Sequence, residues 1–253
     1  MLKREIKRRV FLYRIYLLFG RIFFSERLAT ISLCDEIRHK SQYKVYDLML
    51  RLFYLQDRCL TTILIDSQGG YVDGADYIID SIHNTTHYVN VVNVGMCCSA
   101  AVDIYLSCCN RYATKNSYFI IHHTKTSIRW GFRNGKRVDR KILKLVERYD
   151  KDFYQEISQD IQDDECELCL NKEQWNQVAE ILERYSKTFY SHIKGVIYAS
   201  ISSLEKDDVY TEYQLLNVTR IPKEMLIERI GGGKDWYISA QEALNLGICR
   251  EII

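Results

Sequence analysis

Residues 60–82 read LTTILIDSQGGYVDGADYIIDSI, and three signals within them decide the fold class. Leu60 to Asp66 (LTTILID) is a short apolar run rich in β-branched residues, the pattern of a buried strand. Gly69-Gly70 stops it, as paired glycines favour a turn. Val72, Ala75, Ile78, Ile79 and Ile82 then mark one face of a helix. The alternation continues downstream: Tyr88 to Val94 (YVNVVNV) reads as a strand, Ser99 to Cys109 as a helix, and Tyr118 to Ile121 (YFII) as another strand. Parallel neighbours need a crossover of about helix length, so this order predicts an α/β fold with parallel pairing. Upstream, Arg14 to Ile22 (RIYLLFGRI) is strand-like and Tyr46 to Leu55 (YDLMLRLFYL) is helix-like.

After His123 the pattern changes. Thr126 to Val138 reads as a hairpin around Asn134-Gly135, a favoured two-residue turn. An amphipathic helix follows, with Ile142, Val146, Tyr149, Phe153 and Ile157 on one stripe. The acidic segment Asp160 to Glu167 reads as an exposed connection, and a second long helix is expected from Glu173 to Tyr198, striped by Trp175, Val178, Leu182, Tyr185, Phe189 and Ile193. Gly231-Gly232-Gly233 leads into a short strand, Trp236 to Ile238, and a last helix, Ser239 to Leu246, closed by Gly247.

Composition narrows the function classes. The chain has 253 residues, 47% of them hydrophobic, 27% charged and a single proline, which suits one large domain or two small ones with a real core and no proline-rich linker. A net charge of +2 makes nucleic acid an unexpected partner. The basic stretches at 1–14 and 125–144 read as solvated faces. A basic start ahead of VFLYRIYLLFG resembles a signal peptide, but Arg14 interrupts the apolar run and no small-residue cleavage site follows. No run reaches the ~18 apolar residues of a membrane span, so the chain is expected to be soluble, unexported and cytoplasmic, or stromal if made in an organelle. The nine cysteines lack framework spacing and read as free thiols of a reducing compartment. Cys166-x-x-Cys169 matches half of a zinc site, but no second pair accompanies it, so neither metal nor cofactor is expected.

In an open α/β sheet, reactive groups collect beyond the carboxyl ends of the strands. Three segments end there with suitable residues. Asp66-Ser67-Gln68-Gly69-Gly70 exposes backbone N–H groups that suit a developing anion. Gly95-Met96-Cys97-Cys98-Ser99-Ala100-Ala101 puts Ser99 at a strand-to-helix turn among small neighbours, beside a helix N-terminus. The third strand ends in His122-His123, candidate general bases for that serine. Each piece has an ordinary reading: a turn, an N-cap, a structural histidine. Their conjunction in order at successive strand ends points to acyl transfer, while spacing alone leaves His122 and His123 open.

The wording of these segments resembles the proteolytic subunit of the Clp protease, the ClpP family. ILIDSQGGYVDGADYIIDSI resembles its strand, glycine turn and helix, and NVGMCCSAAVDIYLSCCNRYATKNSYFIIHH resembles its stretch from nucleophile turn to histidine strand. RIYLLFGRI resembles the family's first strand and KDWYISAQEALNLGI its acidic C-terminal segment. The resemblance implies a ClpP/crotonase-like spiral of βαβ units as a single domain over residues 1–253, with a long helical insertion in the handle region, 125–218. It selects His122 over His123 as base and implies Ser99 as nucleophile, Asp235 as the acid that orients the imidazole, and Gly70 and Ala100 as oxyanion donors.

The chain departs from the family where a proline is usual: Gln68 stands before the paired glycines and Thr124 after the histidine. Ala100-Ala101 replaces the usual Met-Gly, a change that leaves the backbone N–H in place. The implied function is a serine endopeptidase acting on peptides or unfolded proteins within an oligomeric ring. A separate AAA+ unfoldase would supply ATP use, since the chain has no P-loop motif. The two striped helices are expected to pack across subunits of that ring, because exposed apolar surface marks an interface. The rival readings are a crotonase-like acyl-CoA enzyme, which needs no serine nucleophile, and a non-catalytic structural ring subunit.

Overall fold

The computed structural model describes residues 28–37, 60–84, 89–127, 135–158, 168–231 and 234–253. They form two compact units: one holds the described residues up to His122 together with Thr211–Gly231 and Asp235–Ile253, the other His123–Tyr210 with Lys234.

The first unit is built on β1 (Leu28–Cys34), β2 (Leu60–Ser67), β3 (Val89–Cys98), β4 (Asn110–Ala113), β5 (Tyr118–Ile121), β8 (Trp236–Ser239) and β9 (Glu251–Ile252). The order is β1-β2-β3-β4-β9, all parallel, with β5 also parallel to β3 and β8 antiparallel to β5. Ile63, Leu64 and Ile65 of β2 are fully buried, so both faces of that strand are covered. This is why its sequence is a continuous apolar run and not an alternating one. Helix α1 (Val72–His83) buries Ala75, Ile78, Ile79 and Ile82, the face read from the sequence. Helix α2 (Ala100–Ser107) is buried all round from Ala100 to Leu106.

β3 changes partners along its length. Its residues 90–93 pair with β4, and 96–98 pair with β5. At the fork Asn93 is fully buried; its Nδ2 donates to the Tyr118 carbonyl at 2.8 Å and its Oδ1 accepts the Gly95 N–H at 3.2 Å. One side chain thus satisfies backbone groups that a splitting ladder leaves unpaired. Gly95 is needed here because a Cβ would strike the carboxylate of Asp66, which accepts the Met96 N–H at 3.0 Å.

Arg111 is also buried. Its Nε donates to the Ile248 carbonyl at 2.8 Å and its Nη2 to the Val218 carbonyl at 2.9 Å, with longer bonds to Cys108 and Gly247. Cys108 and Val218 lie at the C-terminal ends of two helices, and Gly247 and Ile248 lie just past a third, α8 (Ala240–Asn245). Such ends carry partial negative charge, which offsets part of the cost of burying a guanidinium.

The second unit contains β6 (Lys125–Ser127), α3 (Gly135–Tyr149), α4 (Lys151–Ser158), β7 (Cys169–Asn171), α5 (Lys172–Tyr185) and most of α6 (Lys187–Val218); α7 (Lys223–Ile230) returns to the first. The hairpin expected over 126–138 is not formed: β6 pairs antiparallel with β7, and Gly135 already opens a helix. The expected helix over 173–198 is two helices. Ser186, at φ −149 and ψ 52, ends α5 and separates it from α6. An Asn171–Gln174 capping box starts α5, satisfying two N–H groups at its open end.

The apolar stripes do not wait for another subunit. Ile142, Val146, Phe153, Ile157, Trp175 and Ile193 belong to one buried cluster within the chain, which corrects the expectation that they pack across subunits. Trp175 is fully buried, and its Nε1 donates to the Thr126 carbonyl at 3.2 Å. Two short stripes facing each other suffice to exclude water from both.

The strand expected over 14–22, the helix over 46–55, the acidic segment 160–167 and Cys166 lie outside the described residues. Among the described cysteines, Cys97, Cys98, Cys108 and Cys249 are buried free thiols. Burial pushes the thiols of Cys98 and Cys249 up to about 11 and that of Cys108 up to about 12. Among the described residues no helix is long and apolar enough to cross a membrane, and no cluster of His, Cys, Asp and Glu is placed to hold a metal ion.

Candidate active site

Ser99 closes β3 at φ 53 and ψ −131, a conformation L-residues rarely adopt. Its backbone is over-determined: its N–H donates to the Ile120 carbonyl at 2.9 Å and its carbonyl accepts the Val102 N–H at 2.8 Å. Among the described residues its hydroxyl makes no capping bond to α2. A serine that merely opened a helix would sit in extended backbone with its oxygen on the N2 or N3 amide. Ser99 instead presents a half-buried hydroxyl from a sharp strand-to-helix elbow.

The glycine turn packs directly against this elbow. Gly69 lies at φ 91, and a Cβ there would fall 2.5 Å from the Cys98 carbonyl, 2.7 Å from Ser99 Cβ and 3.2 Å from the Ala100 nitrogen. Only glycine allows the two backbones to come so close. On the other side Ile37 donates its N–H to the Gly69 carbonyl at 2.7 Å and accepts the Tyr71 N–H at 2.8 Å. A trans peptide sends its N–H opposite to its C=O. With the Gly69 carbonyl held toward Ile37, the Gly70 N–H is directed away from Ile37. The Ala100 N–H belongs to the first turn of α2, where amides lack intrahelical partners. Ile37 acts here through its backbone alone, and nothing in its side chain signals this in the sequence.

Strand register places the remaining groups. β5 and β8 pair as Tyr118 with Ser239, Phe119 with Ile238, Ile120 with Tyr237 and Ile121 with Trp236. His122 follows β5 and Asp235 precedes β8, each next to the last pair of that ladder, Ile121 with Trp236. On its other flank β5 pairs Ile120 with Cys98, the residue before Ser99. Ser99 and His122 therefore follow, and Asp235 precedes, three adjacent strands at the same end. Besides burial, and against a hydrogen bond from the Ile120 backbone, the charges of Asp66 and Asp235 help raise the Cys98 thiol.

His123 has a carboxylate beside it. In the second unit its Nδ1 lies 3.3 Å from Asp208 Oδ2, while the Thr124 N–H donates to Asp208 Oδ1 at 2.7 Å.

The first unit is thus an α/β structure with a strained serine and a glycine turn packed against it at the end of a mainly parallel sheet, and with His122 and Asp235 flanking neighbouring strands. A solved structure of a ClpP1 point mutant from Listeria monocytogenes shares this fold, with a TM-score of 0.51 and 20% identity over 88% of this chain and 90% of that one. The family model described as Clp protease matches residues 14–183, and the chain belongs to that family. The matched span contains Ser99 and His122; Asp235 lies beyond it. The curated ATP-dependent Clp protease proteolytic subunit 2 of Pseudomonas aeruginosa is 30% identical over 99 residues, 38% of this chain and 49% of that protein. The chain therefore spans about half the length of that curated relative.

Proposed function

We propose that the protein is a serine endopeptidase of the Clp type, with Ser99 as nucleophile, His122 as general base, Asp235 as the acid that orients the imidazole, and the Gly70 and Ala100 N–H groups as oxyanion donors. The observation that carries the reading is the Ser99 elbow: a non-glycine residue held at φ 53, its hydroxyl not spent on the helix, with Gly69 packed against it. Strain of this kind costs about 1–3 kcal/mol and persists where surrounding bonds enforce it.

In this mechanism His122 takes the hydroxyl proton as Ser99 attacks a peptide carbonyl. Asp235 stabilises the imidazolium, and the two backbone donors hold the oxygen on which negative charge develops. His122 then gives the proton to the leaving amine, and water repeats the sequence on the acyl-enzyme. Preorganised donors need no rearrangement as charge forms, and each contributes about 10²–10³ in rate.

The family supports peptides or unfolded proteins as substrates, an oligomeric ring as the working form and a separate AAA+ unfoldase as partner, in the cytoplasm or an organelle stroma. Residues 125–218 would be the handle region of a single ClpP-like domain, enlarged by helices. An acyl-CoA enzyme would use the same donors without a serine nucleophile, and a structural ring subunit would use neither. Labelling with a fluorophosphonate separates them: the wild-type protein is expected to label and Ser99→Ala to lose the label. A wild-type protein that does not label sinks the peptidase reading.

A further inference from the structure

The Gly69-Gly70 turn must be held from outside itself, because glycine loses more backbone freedom on ordering than any other residue. We propose that Ser67 is the residue that aims the Gly70 donor, a positioning residue for the oxyanion site that acts through the backbone and does not touch substrate. The inference rests on the serine-peptidase reading above.

The Ser67 side chain is fully buried, and its one oxygen serves two backbones. Oγ accepts the Gly69 N–H at 3.1 Å and donates to the Asp35 carbonyl at 2.5 Å. Asp35 lies just after β1 at φ 78, and its own N–H donates to the Asp66 carbonyl at 3.3 Å. The hydroxyl thus ties three pieces together: the end of β2, the bend after β1, and the glycine turn.

These bonds act on the geometry of the donor. Gly69 is flanked by two peptide planes. The one before it is fixed by Gly69 N–H to Ser67 Oγ, and the one after it by Ile37 N–H to the Gly69 carbonyl. With both planes held, the two soft dihedrals of Gly69 are set, and so is the direction of the Gly70 N–H in the second plane. Removing the first bond frees a residue that has no Cβ to restrict it. Gln68, exposed and without a proline ring to fix its φ, offers no substitute. A group that both donates and accepts is needed, and a buried hydroxyl supplies both.

The test uses the purified full chain, a fluorogenic peptide and a peptide aldehyde whose adduct with Ser99 places a tetrahedral oxygen between the two donors. Ser67→Ala is expected to lower kcat by about 10- to 100-fold, less than outright loss of a donor because the N–H is misaimed and not removed. KM should stay near its wild-type value, and the aldehyde should weaken by the same factor as kcat. Ser67→Thr, which keeps the hydroxyl, should recover most of kcat. Unchanged kcat and aldehyde affinity in Ser67→Ala, with only a lower urea midpoint, would overturn the inference, as would a rise in KM alone. If circular dichroism shows Ser67→Ala unfolded, Ser67→Cys carries the test, since its thiol is a weak donor and acceptor. Wild-type kcat in that variant overturns the inference, and a fall in kcat at constant KM supports it. A wild-type protein that neither turns over peptide nor labels with fluorophosphonate removes the peptidase reading and this inference together. Normal labelling beside an indifferent Ser67 removes this inference alone.

Discussion

Replacing Gly69 by alanine tests the close approach of the glycine turn to the serine elbow. A Cβ at Gly69 would stand 2.5 Å from the Cys98 carbonyl and 2.7 Å from Ser99 Cβ, so one of two backbones must move. The overlap adds an overpacking cost of about 1–3 kcal/mol. The φ of 91 adds backbone strain of about 1–3 kcal/mol for a residue with a side chain. Together they predict a loss of about 2–6 kcal/mol, read as a lower urea midpoint at unchanged slope. Turnover per folded molecule should fall about 10²-fold, because displacement at the elbow acts on the attacking oxygen and a donor together. Gly195→Ala is the matched control. Gly195 lies inside α6 with nothing within 4 Å of a Cβ, so alanine there should stabilise by about 0.5–1 kcal/mol and leave turnover unchanged. If Gly69→Ala is as stable and active as wild type, the packing of turn against elbow is wrong.

Ser99→Ala should fold normally and lose about 10⁶ in peptidase turnover, and undiminished cleavage would refute its role. His122→Ala should cost about as much, the double variant little more, and His123→Ala should be mild in turnover; the reverse ranking would mean that the β5–β8 register is off by one residue. Arg111→Met should destabilise by about 3 kcal/mol in urea titration, because it leaves several helix-end carbonyls without their donor. Exposed Cys109 should alkylate long before buried Cys98, whose thiol, pushed up to about 11, stays protonated until strongly alkaline pH; peptide mapping after timed alkylation checks the order.

The parts of the molecule legible in the sequence are those whose signal is local and two-sided. β2 and α1 were plain because a strand buried on both faces is apolar throughout and its partner helix shows one stripe. Ser99 was legible as a candidate because it sits where a strand pattern meets a helix pattern. Asn134-Gly135 misled: the dipeptide suits a hairpin, yet Gly135 opens a helix whose buried Ile142 and Val146 continue past it. Ser186 gave no warning, since one residue leaving helical geometry needs no special side chain when tertiary packing turns the chain there. β1 was missed at Leu28–Cys34, a short segment with an exposed Ser32. Asp235 has no local signature; only the register of β8 against β5, or the family resemblance, distinguishes it among 33 acidic residues.

The fork in β3 has a consequence for how accurately a site of this kind can be built. His122 and Asp235 adjoin the two strands of one ladder, so any tilt of that ladder carries both along and leaves their mutual alignment intact. Ser99 belongs to the trunk from which the ladder branches. Ser99 is tied to that ladder through one joint. That joint is the short pairing of residues 96–98 with 118–120, braced by the Asn93 amide. In the proposed site, the alignment of Ser99 with the ladder is thereby braced by a buried side chain that takes no part in the proposed chemistry.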